Sequence, residues 1–101
     1  MKVWLDDERE APVGWLHVKR AEWAILLLET ELVDEISLDH DLGTEKNGYD
    51  VVQWIEAQVV VNDFVAPEIH VHSQNPVGFR RITAAIEAIK RWIKRKGGRV
   101  V

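Results

Sequence analysis

Apolar residues come in short bursts along the chain, and their spacing changes from burst to burst. Lys2 to Leu5 is a brief apolar run closed by Asp6-Asp7, the pattern of a buried strand with polar residues at its C-terminal end. Ala11-Pro12-Val13-Gly14 is a loop, and Trp15 to Lys19 predicts a second short strand. Ala21, Ala24, Ile25 and Leu28 recur at helical spacing, which predicts a helix from about Arg20 to Glu31. Glu35-Ile36-Ser37-Leu38 is the next strand and delivers Asp39-His40-Asp41. Leu42 to Asn47 forms a loop, then Gly48 opens a helix with an apolar stripe at Val51, Val52, Ile55 and Val59, ended by Asn62-Asp63. Pro67 stands where a strand begins, a position that loses no ladder bond, and Ile69-His70-Val71-His72 is that strand.

Ser73-Gln74-Asn75-Pro76 is the sharpest helix start in the chain. Asn75 suits the N-cap, and Pro76 suits the first helical position, where its missing N–H costs nothing. The stripe Ile82, Ile86, Ile89 and Ile93 carries this helix to about Lys96. Lys90, Arg91, Lys94, Arg95 and Lys96 oppose the negative end of its dipole, and Gly97-Gly98 stops it. Arg99-Val100-Val101 predicts a last scrap of strand.

Strands alternating with helices imply right-handed crossovers and a mainly parallel sheet of about four strands, within one domain spanning residues 1–101. In such sheets the site lies beyond the C-terminal strand ends. Three strands end in polar clusters: Asp6-Asp7, Asp39-His40-Asp41, and His72-Ser73 with Asn75. They are expected to meet on one rim.

Composition narrows the function classes. The sequence has 101 residues and no Cys, which excludes disulfides, thiolate metal sites and thiol nucleophiles. Apolar runs are too short for a membrane-spanning helix. The opening residues look like a strand and not an apolar leader, so a cytoplasmic location is expected. A net charge of −4 argues against a dedicated DNA or RNA binder. Trp23, Trp54 and Trp92 flank helical stripes and are expected at the core or its edge.

Several carboxylates on one rim repel one another unless a cation or donors sit among them. Asp6, Asp7, Asp39 and Asp41 supply the oxygen ligands that Mg²⁺ or Mn²⁺ takes. Flanking carboxylates favour a protonated His40, a candidate general acid. His72, nearer its strand end than His70, is the second candidate acid, while His70 is expected to be a hydrogen-bonded core residue. Ser73 and Asn75 stand at the positive end of the last helix, where backbone N–H groups suit a phosphate, and Arg9 is placed to clamp one.

These pieces resemble a known family, the cyclic-phosphate-processing receiver-like domains. The matching segments are Leu5-Asp6-Asp7-Glu8-Arg9, Ile36 to Gly43, Gly48-Tyr49-Asp50-Val51-Val52, and His70 to Gly78. The resemblance implies an α/β fold: a small, receiver-like (flavodoxin-like) three-layer sandwich. It implies an acid pair at Asp6-Asp7, an Asp after the middle strand at Asp39, and a hydroxyl residue at Ser73. A signalling receiver also carries a Lys after a fifth strand, and no such segment follows Ser73. The histidines His40, His70 and His72 are additions to the signalling pattern.

Two functions are therefore expected to compete. One is a metal-assisted phosphoesterase acting on a cyclic phosphate of a nucleotide or an RNA end, with Asp39, His40 and His72 as catalytic groups. The other is a non-enzymatic receiver-like module that binds a phosphorylated ligand or accepts a phosphoryl group on Asp39.

Overall fold

A computed structural model of the protein describes residues 1–97. The expected strand at Arg99-Val100-Val101 lies outside the described residues, as does Gly98. The elements are β1 (Lys2–Leu5), β2 (Trp15–Val18), α1 (Ala21–Glu29), β3 (Glu35–Leu38), α2 (Gly48–Asn62), β4 (Glu68–Val71) and α3 (Pro76–Arg95). All strand pairs are parallel, in the order β2-β1-β3-β4.

Helix ends follow local chemistry. Asn47 caps α2 by accepting from the backbone N–H of Tyr49 and Asp50, and Asp50 returns a bond to the Asn47 N–H. Asn75 caps α3 with Pro76 in its first turn. Helix α1 stops two residues before the expected Glu31. The Thr30 hydroxyl bonds the Leu27 carbonyl at 2.6 Å, and Glu31 turns into the left-handed region at φ 61°.

Strand order decides where the helices lie. The crossovers from β2 to β3 and from β3 to β4 step the same way across the sheet, so right-handedness puts α1 and α2 on one face. Helix α2 packs against both α1 and α3, so the three form one layer. They seal Val3, Leu5, Ile36 and Leu38 completely, with Val51, Val52, Ile55, Ile82 and Ile89 above them.

The step from β1 to β2 runs the opposite way and contains no helix. Residues 6–14 make it as a loop whose Arg9 carbonyl accepts from the Trp4 indole at 3.3 Å. Where the three-layer expectation puts a second layer of helices, the described residues supply only this thin connection, because nine residues are too few for a helical crossover. Much of the second sheet face is consequently open.

Two expectations change, the first of them for that reason. His70 is hydrogen-bonded, to Glu35 at 3.1 Å, but its side chain is 43% exposed on the open face, so it is not a core residue. Trp54 and Trp92 pack against the core, whereas Trp23 is 59% exposed on the outer side of α1.

Candidate functional site

The three strand ends do converge. Strand ladders continue one residue beyond β1, β3 and β4: Asp6 N–H donates to the Val18 carbonyl, Asp39 N–H to Leu5, and His72 N–H to Leu38. A cleft of about 320 Å³ opens there, lined among others by Asp6, Asp7, Arg9, Asp39, Asp41 and Asn75. Asp6, Asp7 and Asp39 each offer a carboxylate oxygen, and these atoms lie within 4.8 Å of one another.

Asp6 is only 1% exposed, so its charge has to be met by the fold. One carboxylate oxygen accepts the backbone N–H groups of Glu8 and Arg9, both at 2.8 Å. The other accepts from His72 Nε2 at 3.1 Å. Burial pushes the Asp6 pKa up, but these bonds outweigh it and hold the carboxyl below its ordinary value. Asp39 moves the other way: burial, then the Asp6 charge, raises it, against weaker help from His72, its backbone bond and Ser73. Two neighbouring carboxylates are thus driven apart in acidity.

Asp41 lines the cleft but stands outside the three-oxygen cluster. It is tied to His40 Nδ1 at 2.9 Å and to the Asn75 side-chain amide at 3.1 Å, and these two bonds lower its pKa. His40 itself does not enter the cleft. The residue is only 9% exposed, and Nε2 has no partner among the described residues. Gly78 explains the fit, because a Cβ there would collide with the imidazole. Gly48 does the same for the preceding residue, since a Cβ would strike the Asp39 carbonyl. The Asp39-His40 turn is therefore wedged between the N-termini of α2 and α3.

The phosphate-binding expectation is redistributed. The Asn75 side-chain oxygen already caps the N–H groups of Val77 and Gly78, and its own N–H donates to Ser73 Oγ at 3.1 Å. Those donors are used within the fold. Arg9 reaches across the rim to the His72 carbonyl at 3.2 Å and is the cation lining the cleft, with Gln74 beside it.

His72 stacks flat on Trp4, with ring centroids 3.7 Å apart at 7°. Its Nδ1 meets Ser37 Oγ at 2.6 Å. Burial lowers its pKa despite the neighbouring Asp6. His17 Nε2 holds the Asp6 carbonyl at 2.7 Å. Ser37, Trp4 and His17 are contributors that the strand-end clusters of the sequence do not mark. The available signal was strand alternation, which puts Trp4 with Asp6 and Ser37 with Asp39 on one side.

A parallel sheet in the order β2-β1-β3-β4, with acids beyond β1 and β3 and a hydroxyl residue beyond β4, defines a receiver-like α/β domain, here with its helices on one side. The model of the cyclic-phosphate processing receiver domain matches residues 1–88, and the chain belongs to that family. No curated protein matches the chain. Among the described residues, no helix is long and apolar enough to cross a membrane.

Proposed function

We propose that the protein is a metal-assisted phosphoesterase that opens a cyclic phosphate on a nucleotide or an RNA end. The observation that carries this reading is the trio Asp6, Asp7 and Asp39 gathered in one cleft that Arg9 also lines. Three clustered carboxylate oxygens, one of them on a buried carboxylate and one on a group whose pKa is raised, suit a hard cation such as Mg²⁺ or Mn²⁺. A bound cation would supply Lewis-acid polarisation of the phosphoryl oxygens.

The chain's own groups supply the rest. Arg9 offers a forked donor to the phosphoryl oxygens. Asp39, through a carboxylate oxygen not given to the cation, accepts a proton from the attacking water as the water oxygen bonds to phosphorus. The phosphorus–sugar oxygen bond breaks, and the departing alkoxide takes a proton from solvent in the cleft. The product is a phosphomonoester. His40, turned under α3, and His72, bonded at both ring nitrogens, leave that acid step to solvent.

The test is turnover of 2′,3′-cyclic nucleotides and of RNA bearing a cyclic end, with Mg²⁺ or Mn²⁺ and with a chelator. Cation-dependent ring opening is expected. Background rates on every cyclic phosphate tried would overturn the reading. The position of Asp39 beyond β3, with Ser73 among the groups acting on it, favours one rival, a phosphoacceptor module. A stable phosphoaspartate after incubation with a small phosphodonor, lost in Asp39→Asn, would support that rival instead.

A further inference from the structure

Asp6 is gripped more completely than a cation ligand on a flexible rim would be. Its carboxylate accepts three hydrogen bonds, and His17 holds its backbone carbonyl. The third carboxylate bond comes from an imidazole that is itself fixed. An ionised carboxylate only accepts, so His72 Nε2 carries the proton that faces Asp6. In the neutral ring His72 Nδ1 is then bare and accepts from the Ser37 hydroxyl. Ser37 is 4% exposed, so its hydroxyl has no ready alternative in solvent. Trp4 lies flat against the ring and opposes its rotation. The chain from Ser37 through His72 to Asp6 runs in one direction and selects one tautomer.

We infer that Ser37 and His72 are positioning residues that fix the Asp6 carboxylate for its cation. The inference rests on the metal-assisted reading above. It differs from the expectation for His72 as a general acid, because an acid must release Nε2 from Asp6 to meet substrate. Partners one bond removed from a metal ligand typically change metal affinity 10- to 100-fold, roughly, when removed. His72 belongs to that class, and Ser37 stands one bond further out, acting through His72.

The experiment measures Mn²⁺ affinity by calorimetry on the wild type, Ser37→Ala, Ser37→Thr and His72→Gln. It also records the ring ¹⁵N shifts of His72 in the metal-free wild type. Ser37→Ala is expected to weaken Mn²⁺ binding about tenfold, and Ser37→Thr, which keeps a hydroxyl, to restore much of it. His72→Gln is expected to weaken it further. The ¹⁵N shifts are expected to show a neutral Nε2–H tautomer, a result that does not depend on any variant folding. Equal Mn²⁺ affinity in wild type and Ser37→Ala, or an Nδ1–H tautomer, overturns the inference and leaves the metal reading standing. A wild type that binds no Mn²⁺ at millimolar concentration removes the metal reading itself, and the inference with it.

Discussion

On the helix side of the sheet, Val3, Leu5, Ile36 and Leu38 are sealed under three helices. One residue away on the same strands or just past their ends, Trp4, Asp6, Ser37, Asp39 and His72 face the side that lacks a helix. The first set contains no polar atom beyond the backbone. The second carries hydrogen bonds, a stacked imidazole and two carboxylates of opposed acidity. A four-residue strand thus serves two environments through nothing more than its period of two. Stability is concentrated on one face, and the chemistry proposed for the protein lies at the border of the other.

The sharpest separation is expected from Asp39→Asn. If Asp39 is the base, turnover falls by roughly 10²- to 10⁴-fold. Melting temperature at neutral pH is expected to rise slightly, because the charge removed is one the fold disfavours. A variant that keeps its turnover, or loses both activity and stability, breaks the division.

Ile36→Ala, on the sealed face, is expected to do the reverse. Deleting this buried side chain costs about 2–5 kcal/mol, seen as a lower denaturant midpoint. Mn²⁺ affinity per folded molecule should stay close to wild type. A weakening comparable to that of Asp6→Asn would show that the faces are not independent.

Gly78→Ala probes the border between them. The added methyl meets the His40 ring, so a cost of about 1–3 kcal/mol is expected. The shift should also reach the cleft through the His40–Asp41 contact, so turnover falls alongside stability. Unchanged stability would mean that the ring moves aside freely.

The smallest expected effect is a pH dependence. The His72 pKa is below its ordinary 6.5 when folded, so the unfolded chain binds the proton more tightly. Stability from this group is full above about pH 6.5 and declines as pH falls toward the folded value. Asp6 adds to the loss at lower pH, below its ordinary 3.8, while Asp39 acts in the opposite sense as pH rises past that value. His72→Gln is expected to flatten the slope just below pH 6.5. A slope that persists in His72→Gln would assign it to other groups.

Most elements were legible because their punctuation is chemical. Acids close β1 and β3, and Asn75-Pro76 marks the start of α3 without ambiguity. The convergence of Asp6, Asp7 and Asp39 followed from a general rule about parallel sheets. What escaped was sidedness. In Asp39-His40-Asp41 the three residues were read as one cluster, although neighbours at a strand end point in alternate directions, and His40 turns under α3. The sequence pattern marks Ser37 only as part of the strand Glu35-Ile36-Ser37-Leu38, yet it shares a side with Asp39. His70 reads as a core residue because it lies deeper along its strand than His72, but among the described residues no helix covers the face it points to. The loop over residues 6–14 is too short to supply one, and that loop's handedness puts it on the face of His70.

The same loop has a kinetic consequence. Lys2 pairs with Trp15 thirteen positions on, whereas Lys2 and Glu35, and Glu35 and Glu68, are each thirty-three apart. Closing the shorter segment costs about 0.8 kcal/mol less chain entropy. Of the three parallel pairings, β1 with β2 has the lowest entropic barrier to formation. The turn that carries Asp6 and Asp7 is the crossover of that early pair, so the first part of the sheet able to assemble during folding is the part that holds two of its three clustered acids.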